Sequence, residues 1–412
     1  MTKQERSWIL YDWANSAYSL AITTATLPIF FKSVAAYNLD SATSTAYLGY
    51  TNSIATLIIS ILAPILGSIA DYKGYKKKFF TVFFLIGVLS TSLLSAVAEG
   101  DWILCIMIYI FSVIGFSGSN IFYDAFLTDI TDVSRMDHVS SVGFGFGYIG
   151  STIPFILSLL FITKPSIIGL TKVGATRLSF IITAVWWFIF TLPMLKNVNQ
   201  VYYIEPSREP VKDSFNRLLH TLKSVKEYKN IFIFLIAYFF YIDGVSTIIK
   251  MSTAYGLDLG LSGDTLMIIL LAIQIVAFPC ALLYGKLAKI FSTRIMIFVG
   301  IIVYAIICIY AYFMNTTLDY WILAMLVASS QGGIQALSRS FYGKLIPKEK
   351  SSEFFGLYNI CGRFSAIFGP LLVGVISQIT GNSKLGVVSL IILFLIGGVL
   401  FLKVKDPKIA AI

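Results

Sequence analysis

From Trp8 to Leu402 the sequence is a succession of long apolar runs separated by short polar links, and no water-soluble fold can be built on that pattern. Each run is roughly 18 to 26 residues, long enough for a helix to cross a hydrocarbon core of about 30 Å. Six of them lie near residues 8–31, 45–70, 79–98, 102–127, 139–163 and 176–195; after a polar stretch, six more lie near 230–252, 263–285, 295–314, 318–343, 352–379 and 384–402. The expected fold is therefore an all-α polytopic membrane protein with twelve transmembrane helices. It divides into a six-helix half over 1–195, a linker over 196–229 and a second six-helix half over 230–412. Composition agrees: 57% of residues are hydrophobic and 13% charged, too little polar surface to coat a soluble core.

The formal charge of +10 would suggest nucleic acid in a soluble chain. Here the bases sit in short links, where they set orientation instead. Of the 31 lysines and arginines, only Lys32, Lys164, Lys172, Arg177 and Lys384 are assigned to odd-numbered loops, so both termini are expected in the cytoplasm, and a bacterial chain of this kind belongs in the inner membrane. Residues 1–7 run into the first span with no Ala-x-Ala cleavage site, so that span is expected to be retained. The linker carries Pro206 and Pro210 and, over 212–227, the pattern of an amphipathic helix lying on the membrane surface. Cys105, Cys280, Cys308 and Cys361 all lie in apolar runs and read as packing residues.

One link stands out. Gly67-Ser68-Ile69-Ala70-Asp71-Tyr72-Lys73-Gly74-Tyr75-Lys76-Lys77-Lys78 places a carboxylate at the end of one span and a basic cluster at the start of the next. Small residues there permit close helix approach. A fainter copy follows 218 residues later, with Gly285, Ala288 and Arg294 answering Gly67, Ala70 and Lys76. A second echo, at an offset of 211, matches Ser140-Ser141 and Gly145 to Ser351-Ser352 and Gly356, and Ala125 to Ala336. Two echoes at about half the chain length imply duplicated halves, an arrangement typical of secondary transporters.

The repeated loop resembles the signature of the major facilitator superfamily. Tyr11-Asp12-Trp13-Ala14-Asn15-Ser16-Ala17-Tyr18, Phe122-Tyr123-Asp124-Ala125-Phe126-Leu127, Gln331-Gly332-Gly333-Ile334-Gln335-Ala336-Leu337-Ser338-Arg339-Ser340 and the run from Glu353 to Pro370 narrow the resemblance. They are similar to the vacuole-effluxer branch, related to the autophagy-associated amino-acid exporter of yeast. The chain departs from that pattern at Asp124, Thr128, Tyr72 and Tyr75. The resemblance implies alternating access, with spans 1, 4, 7 and 10 lining a central cavity.

Ionisable groups within a membrane are costly, so each needs a partner, a wet cavity or a function. Asp243 and Arg363 both fall near mid-depth of their spans. They read either as a structural ion pair or as the groups that bind a proton or a substrate amine and a substrate carboxylate. Asp12, with Asn15 nearby, reads as a gate or substrate ligand, or as a carboxylate placed to suit a helix N-terminus. Asn120, Gln331, Gln335 and Asn359 are the neutral candidates for substrate hydrogen bonds. Asp71, Asp124 and Arg339 are gating candidates at the cytoplasmic span ends, Arg339 reading equally as a phospholipid or helix-end contact.

No phosphate-binding loop, metal-ligand spacing or Ser-His-Asp set is present, so neither an enzyme nor ATP-driven transport is expected, and no cofactor. The expected protein is a monomeric transporter of a small polar solute, amino acids foremost, either facilitative or coupled to protons, whose partners are that solute and the lipid bilayer. Export of amphipathic compounds, or a receptor or scaffold role on the same fold, are the alternatives.

Overall fold

A computed structural model describes residues 1–205, 207, 209–224, 226–258, 261 and 263–407. The chain opens with α1 (Lys3–Ala17), started by a capping box in which Thr2 and Glu5 exchange hydrogen bonds, and runs on through a π-helical stretch, Tyr18–Thr26, into α2 (Leu27–Phe30) and a second such stretch, Phe31–Ala35. Then follow α3 (Ser41–Ala70), α4 (Tyr75–Leu93), α5 (Trp102–Ala125), the short α6 (Leu127–Ile130), α7 (Met136–Thr163) and α8 (Lys172–Asn197). The linker holds α9 (Pro210–Lys223), two residues ahead of its expected start. Beyond it lie α10 (Lys229–Asp258), α11 (Gly263–Phe291), α12 (Thr293–Phe313), α13 (Thr317–Leu345), α14 (Ser351–Thr380), α15 (Ser383–Ser389) and α16 (Ile391–Leu402).

Among the described residues, 10 helices are long and apolar enough to cross a membrane. The helical run Lys3–Ala35 and α13 cover the other two expected segments, which is consistent with twelve; Ser329, Ser330, Gln331, Gln335, Ser338 and Arg339 make α13 more polar than its neighbours. Pro64, Pro154, Pro279 and Pro370 all lie inside helices, α3, α7, α11 and α14.

The chain forms two compact units whose borders cut across the sequence. The first comprises Met1–Ile130, Phe146–Phe215 and Glu349–Gly356; the second comprises Thr131–Gly145, Asn216–Lys348 and Leu357–Ile412. In the first, α4 packs along α5 and α1 along α8, and Tyr18, Phe84, Phe116 and Trp187 interlock at ring separations of 4.6 to 5.9 Å. In the second, α11 packs along α13 and α10 along α16, with Phe234 touching Tyr238, Phe341, Tyr342 and Phe401. Lipid offers no hydrophobic drive for helices to associate, so interlocking rings and small residues hold them together.

Candidate functional site

In the first unit, the last turn of α3 meets the first turn of α14. Gly67 makes this possible: a Cβ there would overlap the carbonyl oxygen of Ser352. One turn further along α14, a Cβ on Gly356 would fall 2.8 Å from the Ala63 carbonyl oxygen. Helix starts leave amide hydrogens without intrahelical partners, and Asp71 supplies them. Its carboxylate accepts the N–H of Ser352 at 2.8 Å and of Glu353 at 3.0 Å, with the favourable end of the helix dipole behind them. Ser68 Oγ lies 3.0 Å from Glu353 Oε2 and 3.0 Å from the Ser214 carbonyl, so it donates to one at a time.

Lys76 extends this junction. Its ammonium donates to Asp129 Oδ2 at 2.7 Å and to Ser351 Oγ at 2.8 Å, and both charged side chains are fully buried. The other carboxylate oxygen of Asp129 accepts the N–H groups of Val201 and Tyr202 at 2.8 and 2.9 Å. A further backbone bridge joins Ile204 N–H to Asp71 O at 2.8 Å and Lys73 N–H to Ile204 O at 3.2 Å. The start of α14, the loop after α3, α6 and the linker are thus tied by one chain of charge-assisted bonds.

The second unit holds a counterpart. A Cβ on Gly285 of α11 would lie 2.6 Å from Ser141 Cβ at the start of α7. The offset of 218 that carries Gly67 to Gly285 and the offset of 211 that carries Ser141 to Ser352 therefore describe two versions of one contact. Its charges are placed differently. Asp137, on α7, accepts the hydroxyls of Ser340 and Thr293 at 2.7 Å each and the ammonium of Lys344. Arg339 donates through Nε to Ser140 Oγ at 3.0 Å and through Nη2 to Ser140 O at 3.2 Å, with its guanidinium 4.3 Å from the Phe144 ring centre.

Burial pushes the Asp71 carboxyl up from its ordinary 3.8 to about 7, against the pull of Lys76 and the two amide hydrogens; nearby Glu353 adds to the rise. The sign follows from proton counting. Between about pH 4 and 7 the folded state holds a proton that the unfolded chain has lost, so this group's contribution to stability falls as pH rises through that window and levels off above it. The thermal midpoint of the wild type is expected to decline more steeply over that window than that of Asp71→Asn. Parallel curves would show that Asp71 does not titrate there.

The remaining candidates are distributed over both units. In the first, Asn15 Nδ2 donates to Asn120 Oδ1 at 2.7 Å, joining α1 to α5. Buried Asp12 lies on the same helix as Asn15, one turn from Ser16, whose hydroxyl a Cβ on Gly147 would approach to 2.6 Å. Asp124 is half-buried near the end of α5 in this unit, whereas Arg339 lies in the other. In the second, Asp243 is fully buried, and both its carboxylate oxygens lie 2.9 Å from the Gly369 N–H, with the Thr247 hydroxyl at 3.3 Å. Gly369 precedes Pro370, whose ring disturbs the turn before it, and a Cβ at 369 would sit 2.7 Å from Asp243 Oδ1. Gln335 Nε2 donates to the Gln331 carbonyl at 3.0 Å; Asn359 and Arg363 are half-buried on α14. Sequence reasoning singled out Asp71 but passed over Asp129, Asp137, Lys344 and Glu353. The readable signal was Ser140-Ser141 and Ser351-Ser352, which lie close to two of these groups, Asp137 and Glu353.

The paired helix-end junctions lie on a polytopic helical chain whose relatives are transporters of the major facilitator class. The fold is similar to that of the proton:xylose symporter XylE, with a TM-score of 0.74 at 10% identity over 98% of this chain and 96% of that one, and to that of the human organic anion transporter MFSD10, with a TM-score of 0.73 at 10% identity over 97% and 99%. The chain belongs to the Atg22-like vacuole effluxer family, whose model matches residues 37–408. It is 56% identical over 408 residues to the uncharacterized MFS-type transporter YxiO of Bacillus subtilis, covering 98% of this chain and 95% of that protein. It is 23% identical to autophagy-related protein 22-1 of Penicillium rubens, over 87% of this chain and 75% of that one. The protein is a multi-pass membrane transporter, not an enzyme.

Proposed function

We propose that this transporter carries a small zwitterionic solute, amino acids being the class of choice, by alternating access, with 1–195 and 230–412 as the moving halves and 196–229 as their cytoplasmic linker. The observation that carries this reading is the pair of crosswise junctions. In one, α3 of the first sequence half grips α14 of the second; in the other, α11 of the second grips α7 of the first. Both grips must release for the halves to part, and both are built from bonds rather than from broad apolar burial, so release is affordable. Asp71, Lys76, Arg339 and Asp137 are the gating groups, and Asp124 belongs with them at its span end. The lysine-rich loops and both termini then face the cytoplasm, consistent with the placement of lysine and arginine.

Asp12, Asn15, Asn120, Asp243, Gln331, Gln335, Asn359 and Arg363 supply the solute and coupling contacts. A carboxylate and a guanidinium within spans of one unit suit a solute with an amine and a carboxylate, and the family description as an effluxer supports the movement of a solute. Asp243 binds the amine or a driving proton in exchange for its hold on Gly369. In vesicles containing the purified protein, Asp243→Asn is expected to cut amino-acid uptake by about tenfold or more, the worth of one charged hydrogen bond, and to abolish its dependence on a pH gradient. Undiminished, still pH-driven uptake would remove Asp243 from the mechanism.

A further inference from the structure

We infer that the loop after α3 and the start of the linker form a binding site for the phosphate of an anionic phospholipid. Lys73, Gly74, Lys77, Lys78, Thr81, Val82, Asn199, Gln200 and Tyr203 line an open groove of about 740 Å³ within the first unit. Its walls are tied together. Gly74 N–H donates to Gln200 Oε1 at 2.9 Å, Gln200 Nε2 to Ala70 O at 3.2 Å, and Lys77 Nζ to Asn199 Oδ1 at 2.9 Å.

Three ammonium groups converge here with most of their donors unspent. Lys73 lies 5.0 Å from the Tyr203 ring centre and Lys78 lies 5.3 Å from that of Tyr75. Among the described residues no carboxylate pairs with any of the three. Lys76, their neighbour in sequence, is committed to Asp129; the groove lysines are what is left for a ligand. Lysine binds phosphate as a point charge, and each one near an anionic membrane surface adds to the attraction.

The lower wall selects a lipid over a soluble anion. On α4, Lys77 and Lys78 stand one turn above Thr81 and Val82, and the face continues through Leu85 and Leu89, which are 38% and 60% exposed on a membrane-crossing helix. A cationic rim above an outward apolar stripe matches a headgroup above an acyl chain. A phosphate seated there would bridge the loop to residues 199–203, on the outer side of the same segment that Asp129 holds from within.

This assignment does not depend on the identity of the transported solute. The test compares the purified protein in detergent with added phosphatidylglycerol, phosphatidylcholine, or inorganic phosphate at matched ionic strength, reading retained lipid by native mass spectrometry together with the thermal midpoint. Phosphatidylglycerol is expected to be retained and to raise the midpoint, and the Lys73→Gln, Lys77→Gln, Lys78→Gln triple variant to retain about a hundredfold less of it. A charge-matched control, Lys286→Gln, Lys289→Gln, Lys405→Gln, should retain it as the wild type does. Equal retention by the wild type and the groove variant, or equal loss in the control, overturns the site. Protection by inorganic phosphate equal to that by lipid overturns the lipid assignment in favour of a soluble phosphate. If the triple variant fails to fold, Lys73→Gln with Lys78→Gln, which breaks no hydrogen bond, gives the same reading.

Discussion

Replacing Lys76 by Met is expected to lower stability by about 3–5 kcal/mol, the usual result of stranding one member of a buried ion pair. Asp129 would keep the two amide hydrogens of Val201 and Tyr202 but lose its counter-charge in a place with no solvent access. Ser351 would lose its partner at the same stroke, so the start of α14 would be held by Asp71 alone. The double variant Lys76→Met with Asp129→Asn separates the two roles. Asparagine still accepts the amide hydrogens through its carbonyl oxygen and leaves no buried charge, so the double variant should recover most of the lost thermal midpoint. Transport should not recover with it, because the bond from Lys76 to Ser351 is still absent. A single variant as stable as the wild type would show that the pair is hydrated and structurally idle.

How much of this was readable beforehand depends on the length scale of the signal. Hydropathy acts over some twenty residues at a time, and it located the 10 helices that are long and apolar enough to cross a membrane. The borders of the two compact units, which cut across the sequence, were not legible in hydropathy, but a polar segment such as 196–229 cannot enter lipid. The amphipathic helix there was legible too, within two residues at its start. The π-helical stretches in the first span were not, since Tyr18–Thr26 differs from ordinary helical sequence only in how its backbone bonds shift.

The junctions were half legible. Gly67, Asp71, Gly285 and the two serine pairs announced themselves by repetition. What repetition could not say was that the glycine of one echo rests on the serine of the other, because each contact joins residues a hundred or more positions apart. Asp129, Asp137 and Glu353 were invisible for a different reason. A carboxylate at a span end is welcome there for dipole reasons alone, so nothing in the local pattern marks one that is buried against a lysine or a serine. Asp243 shows the converse limit. Depth within a span offered Asp243 either a pairing with Arg363 or a substrate or proton role, but not the backbone N–H of Gly369 that its carboxylate accepts, a donor that no side-chain inventory contains.

The two glycine contacts look equivalent in sequence, and their response to substitution is expected to separate them. At Gly67 an added Cβ meets the Ser352 carbonyl oxygen and carbon and the Glu353 Cα, all backbone and fixed by the Asp71 bonds. Gly67→Val should therefore drive α3 off the start of α14 and abolish transport, and no substitution at Ser352 can restore it, since every residue has that carbonyl. At Gly285 the obstacle is the Ser141 side chain, at 2.6 Å from its Cβ and 2.7 Å from its hydroxyl. Gly285→Ala should impair transport by about tenfold, consistent with the 1–3 kcal/mol typical of overpacking, and Ser141→Gly in the same chain should restore it by removing the atoms that collide. Uptake assays on the four proteins decide the matter. Rescue of Gly285→Ala by Ser141→Gly, without rescue of Gly67→Val by Ser352→Gly, is the expected asymmetry. Failure of the first rescue would mean that Gly285 is needed for its backbone and not for the room it leaves to Ser141.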